Sequence, residues 1–98
     1  MTITEKRQGT QLTLVIEGYL DATSFKELER RVRESLDGVE FLVLDCSGLE
    51  YISSAGLRAM LVAQKAMSKK GKMVVRGANE SVMDTLELTG FTKVLTIE

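Results

Sequence analysis

Ser53 and Ser54 stand side by side where the chain passes from an apolar strand, Phe41-Leu42-Val43-Leu44, through a polar loop into a helix. A serine at a helix start is a natural phosphate acceptor. The first four N–H groups of a helix have no intrahelical acceptor and the macrodipole is positive at that end, so a phosphate is accommodated locally. The same phosphate transforms the surface a partner meets. The plainer role for either hydroxyl is an N-cap, contributing about 1 kcal/mol. The acid of a capping box is missing, because Gly56 and Leu57 stand three residues beyond the serines. A glycine in the first turn sacrifices helix propensity, which points to a close approach of another part of the chain.

Other chemistries find little footing. The chain has no histidine, which removes Ser-His-Asp and Cys-His catalysis and the commonest metal ligand together. Asp21, Asp45 and Glu50 are carboxylates near the loop, yet a small sheet-and-helix domain advertises no substrate pocket, and aspartates at strand ends read as caps or loop staples. Asp45, Ser47 and Gly48 are accordingly expected to build the loop. Cys46 follows the apolar run with no feature that clearly lowers its pKa, so it reads as buried packing. Gly48 and Gly56 fit neither the Walker spacing nor Gly-x-Gly-x-x-Gly. The expectation is a protein that is not an enzyme and that needs no metal or cofactor.

The 98 residues fit one domain, with 13 Lys and Arg against 14 Asp and Glu and a net charge of -1. The one basic cluster, Lys69-Lys70-Gly71-Lys72, falls where a helix should end and suits its carboxyl-terminal dipole, so nucleic-acid binding gains little support. No segment approaches the roughly 20 apolar residues that a bilayer requires. The amino-terminal residues carry mixed charge with no apolar stretch after them, and the single cysteine forms no internal bridge. A cytoplasmic protein without membrane insertion is expected.

The elements that must position the serines follow from periodicity. Leu12, Leu14 and Ile16 alternate with other residues as in a strand, and Gln8-Gly9-Thr10 can turn a preceding strand centred on Ile3 to Lys6, which belongs at a sheet edge. Phe25, Leu28, Val32 and Leu36 recur at helical spacing opposite a charged face; Ser24 with Glu27 forms a possible capping box, and Asp37-Gly38 ends the helix. Phe41–Leu44 reads as a central strand buried on both faces. A second helix from about Ala55 to Ser68, with Gly71 as its C-cap, leads to a strand at Lys72–Arg76. Asn79 caps a third helix that ends near Gly90, and Val94–Ile97 closes the chain as a last strand. The order ββαβαβαβ predicts an α/β fold with a mixed, largely parallel sheet and right-handed crossovers. The second helix is more apolar than one core stripe requires, so Leu57, Met60 and Val62 suit the core and a partner surface equally.

Gly18-Tyr19-Leu20-Asp21, Leu44-Asp45-Cys46-Ser47-Gly48-Leu49 and Ile52-Ser53-Ser54-Ala55-Gly56-Leu57 together resemble the STAS domain of bacterial anti-sigma factor antagonists, over essentially the full length. The resemblance implies a partner switch. The unmodified protein binds an anti-sigma factor that is also a serine kinase, phosphorylation ends that binding, and a PP2C-type phosphatase restores it. The family's modified serine stands two positions before the glycine, which maps to Ser54, while Asp21 and Asp45 match family aspartates. The implied partner surface is Asp21, Ser53, Ser54, Ala55, Gly56, Leu57 and Arg58. Family members of this kind often carry an acidic residue before the modified serine, where this chain has Ser53. That departure keeps Ser53 as an alternative acceptor, and a constitutive STAS module of a transporter or sensory complex as an alternative function.

Overall fold

Strand β1 (Thr2–Gln8) and strand β2 (Gln11–Leu20) form an antiparallel hairpin in the computed structural model, which describes residues 1–98. Gln8 pairs with Gln11, leaving a two-residue turn in which Gly9 takes the left-handed conformation, φ 63°. β1 lies at the sheet edge and buries only Ile3, as its polar sequence predicts. Long side chains tie it to helix α1 (Phe25–Ser35): Arg7 donates to the carbonyls of Ser35 (2.6 Å) and Asp37 (3.2 Å), and Arg31 pairs with Glu5 at 3.0 Å. A guanidinium at a helix carboxyl end satisfies carbonyls that have no helical donor.

Strand β3 (Phe41–Ile52) runs parallel to both β2 and β4 (Lys72–Arg76), giving the order β1-β2-β3-β4. Its central position matches the continuous apolar run. Its length does not match the expected loop, because Asp45, Ser47 and Gly48 all lie within the strand. The polar residues are absorbed by two register shifts: Val15 faces Asp45 but Glu17 faces Gly48, and Gly18 faces Leu49 but Tyr19 faces Tyr51. β3 thus carries two more residues than the ten of β2 over the paired stretch, and bulges let a strand hold such insertions while its ladder continues.

Helices α1, α2 (Ser54–Ser68) and α3 (Glu80–Leu88) contribute to one hydrophobic core of 24 residues. Leu28 and Val32, then Leu57, Met60, Ala63 and Met67, then Val82 and Leu86 meet Leu12, Leu14, Ile16, Leu42 and Leu44 of the sheet. Leu57 and Met60 are therefore core residues, whereas Val62 is exposed. Val43 and Val74 alternate to the other sheet face and are buried outside this core.

Three local expectations change. The closing segment is not a full strand: after a 3-10 turn at Phe91–Lys93 only Ile97 bridges to Val75, because Leu95 turns into the core and Val94 out to solvent. Ser24 occupies the N-cap position of α1 without capping it, since its Oγ donates to the Tyr19 carbonyl at 2.7 Å and accepts from the Asp21 N–H, and Glu27 pairs with Arg30. Gly71 lies beyond the C-cap of α2, which is Lys69. It is required for another reason: a Cβ there would collide with the Glu40 carbonyl, the group that accepts the N–H of Lys72 at 3.0 Å and starts the β3–β4 ladder. Gly71→Ala is expected to lower unfolding stability by about 1–3 kcal/mol, against a change within about 0.5 kcal/mol for the exposed neighbour Lys70→Ala, read from urea melts.

Candidate functional site

The paired ends of β2 and β3 build the corner on which the serines sit. Leu20 and Ile52 are in register, and the Ser53 N–H donates to the Leu20 carbonyl at 3.0 Å, so the chain leaves the sheet with its direction fixed. Ser53 is extended (φ −100°, ψ 177°); its Oγ accepts from the Gly56 N–H at 3.4 Å and its carbonyl accepts from Leu57 at 2.9 Å. It is the N-cap of α2. Gly56 supplies the close approach that its position suggests: a Cβ there would lie 2.6 Å from the Leu20 oxygen and 2.8 Å from Ile52 Cγ1.

Ser54, the first helical residue, is exposed and its hydroxyl makes no hydrogen bond within the protein. Ala55 is half-buried, and Gly56 and Leu57 are interior, so those two shape the surface from beneath. Arg58 is exposed one turn after Ser54 and forms no ion pair.

Asp21 is brought to the same corner, directly after Leu20. Its Oδ1 accepts from the Thr23 hydroxyl at 2.7 Å and the Thr23 N–H at 2.9 Å, and these bonds, the hydroxyl foremost, hold its carboxyl below the ordinary 3.8. Asp45 is not brought there. It lies seven residues before Ile52 on β3, and at about 3.3 Å per strand residue that separation is on the order of 20 Å. Its Oδ1 accepts from the Ser47 N–H at 3.0 Å and the Ser47 hydroxyl at 2.8 Å. Those bonds, the N–H first, hold its carboxyl below 3.8, with the charges of Arg76 and Lys6 adding to the effect. Asp45, Ser47 and Gly48 therefore staple a bulge within the sheet, with Glu17 seated over Gly48.

Cys46 is fully buried, and burial, with the Asp45 charge behind it, pushes its thiol up to about 12, so it stays a thiol at neutral pH. Asn79 has a double role: its Oδ1 caps α3 at the Val82 N–H (2.8 Å) while its Nδ2 donates to the Leu49 carbonyl (3.0 Å), locking α3 to the bulged part of β3. Periodicity alone passed over Tyr19 and Tyr51. They face each other across β2 and β3 with ring centroids 6.1 Å apart, and both are about half exposed, at 54% and 48%. Each sits beside a core residue, Leu20 or Ile52, and that alternation was the available signal.

Gly56→Ala is expected to cost about 1–3 kcal/mol, because the atoms it meets are a backbone carbonyl and two core side chains; a urea melt unchanged from wild type would overturn this reading of the corner. The pH dependence has a defined sign. Because Asp21 and Asp45 are held below their free values, whatever they contribute to stability is present above 3.8 and is lost as pH falls through their folded-state values. Carboxyl carbon shifts followed by NMR should place both midpoints below that of a free aspartate.

Comparison with known proteins agrees with this architecture. BtrV of Bordetella bronchiseptica, a candidate anti-sigma factor antagonist, is 29% identical over 99 residues, spanning 99% of this chain and 85% of its own length. An anti-sigma factor antagonist from Mycobacterium paratuberculosis shares the fold with a TM-score of 0.88 at 21% identity, over 98% of this chain and 83% of that one. The anti-sigma factor antagonist SpoIIAA of Bacillus shares it at 10% identity in two forms. Its unphosphorylated structure gives a TM-score of 0.77 over 99% of this chain and 87% of its own, and its phosphorylated structure gives 0.76 over 99% and 91%. The STAS domain model matches residues 2–98, and the chain belongs to the STAS domain family.

Proposed function

We propose that this protein is an anti-sigma factor antagonist that works by partner switching in the cytoplasm. In its unmodified form it binds an anti-sigma factor with serine kinase activity through the corner formed by Asp21, Ser53, Ser54, Ala55 and Arg58, with Gly56 and Leu57 supporting that surface. Phosphorylation of Ser54 ends the binding, and a phosphatase of the PP2C type restores it.

The observation that carries the choice of residue is the contrast between the two hydroxyls. Ser53 uses its Oγ to cap α2 and is half-buried, whereas Ser54 is exposed with its hydroxyl free. A kinase that modified Ser53 would have to strip the cap, at about 1 kcal/mol, and enter a less accessible position. Ser54 asks for neither.

A phosphate at Ser54 needs no rearrangement of the fold to be effective. At an effective dielectric near 20, one unit charge about 4 Å from a like charge costs about 4 kcal/mol, and each 1.4 kcal/mol is roughly a tenfold loss of affinity. SpoIIAA presents this fold with and without its phosphate, which supports a switch at the surface.

Ser54→Asp is expected to weaken binding of the anti-sigma factor by on the order of a hundredfold, while Ser54→Ala keeps the affinity and takes up no phosphate. Calorimetric titration of the three proteins, with phosphosite mapping after incubation with the anti-sigma factor and ATP, decides the matter. Equal affinity for all three proteins would sink the switch, and phosphate on Ser53 alone would move the acceptor.

A further inference from the structure

The chain exposes six large apolar side chains: Met1, Tyr19, Tyr51, Val62, Leu88 and Val94. Two of them meet. Tyr19 and Tyr51 face each other on neighbouring strands with ring centroids 6.1 Å apart, whereas Met1 follows Ile3 in the alternation of the first strand and belongs to the opposite face. The pair is at the end of β2 and β3 that leads into Asp21 and Ser53. Alternation from the buried Leu20 and Ile52 puts both tyrosines on the face away from the helices.

The charged side chains that β2 and β3 bring to the pair are of one sign, while the Met1 amino group lies beside Gly18. β2 and β3 contain no lysine or arginine, and their charged residues are Glu17, Asp45 and Glu50. Asp45 is compensated by Arg76 and Lys6. Glu17 and Glu50 are exposed and have no cation within ion-pairing distance. Glu50 is the inserted residue of the second bulge, next to Tyr51, and Glu17 lies two residues before Tyr19. Two exposed aromatic rings with Glu50 adjacent in sequence and Glu17 two residues away have the chemistry that attracts a planar cation. The rings attract it through their quadrupoles, and the carboxylates accept its N–H groups. Arginine suits this better than lysine because its guanidinium stacks on rings while its edge donates.

We infer that the Tyr19–Tyr51 pair, with Glu17 and Glu50, is a second contact of the partner interface and takes an arginine side chain from the anti-sigma factor. This rests on the partner reading above and extends it from the Ser54 corner onto the helix-free face of the sheet. The contact gives the interface an aromatic anchor of the kind that dominates binding energies, a short distance from the residue that carries the switch.

The two tyrosines are the chain's only ones. Incorporating 3-fluorotyrosine therefore yields two 19F signals, both reporting on this patch. Both are expected to shift when the purified anti-sigma factor is added. Tyr51→Ala and Tyr19→Ala are each expected to weaken binding roughly tenfold or more, Glu50→Lys by at least as much, and the exposed Leu88→Ala on α3 not at all. Tyr51→Leu keeps apolar area but loses the ring quadrupole, and is expected to bind as weakly as the alanine variant. Melting curves matching wild type establish that each variant is folded. Unmoved 19F signals with wild-type affinity in the tyrosine variants would overturn the patch while leaving the Ser54 switch standing. Full affinity in Tyr51→Leu would overturn the cation and leave a merely apolar contact. Failure of the wild type to bind the anti-sigma factor at all would remove the partner reading and this contact together.

Discussion

The carbonyl of Leu20 is the fixed point of the corner that carries the two serines. It closes the β2–β3 pairing by accepting the Ser53 N–H, and it comes so near the first turn of α2 that only glycine fits at position 56. One oxygen thus sets both the direction in which the chain leaves β3 and the distance at which α2 passes over the sheet. Everything above it inherits that geometry. Ser53 is held extended and can cap, Ser54 is turned outward, and Leu57 and Met60 are driven into the core. The loss of helix propensity at Gly56 is the cost of this approach, about 1 kcal/mol relative to alanine in an exposed helix.

The electrostatics divide along the length of β3. At its middle, Asp45 is saturated by Ser47 and lies near Arg76 and Lys6, so its charge is spent inside the structure. At its end, Glu50 and the neighbouring Glu17 are left without cations. The two bulges separate these regimes. They let one strand carry a structural carboxylate and an outward-facing one without changing the pairing of the apolar residues between them. Asn79 reinforces the division by tying the start of α3 to the Leu49 carbonyl, between the two bulged segments.

Much of this was legible in the residues. The hairpin, the edge position of β1, the amphipathic α1 and the buried run of β3 follow from periodicity and charge, because each is a local pattern that the tertiary structure only has to accept. Gly56 announced a close contact, although its partner, a backbone oxygen, has no signature in a sequence. The length of β3 was hidden, since Asp45, Ser47 and Gly48 have the composition of a loop and only pairing with β2 on one side makes a strand of them. The closing segment departs from its pattern for the converse reason: Val94–Ile97 has strand composition, but the bridge from Ile97 to Val75 is all the strand pairing it finds. Ser53 and Ser54 are alike in residue type and differ in what the fold makes of them, Ser53 half-buried and capping, Ser54 exposed. Tyr19 lies within one of the motifs and Tyr51 just before another, yet their meeting depends on a bulge no single strand can reveal.

The sheet has one more property that its order implies. Each strand lies beside the strand that precedes it in the chain, so β1-β2-β3-β4 in space is also the order of synthesis. No strand has to be inserted between two that are already paired. As the chain emerges from the ribosome, the hairpin can form first, β3 can add to its finished edge, and β4 can follow, each step closing only the loop contributed by one crossover helix. A nascent chain of this kind never waits with a gap in the middle of its sheet, and the exposed edge that invites aggregation advances with synthesis until the short β4 and the bridge at Val75 bring it to an end.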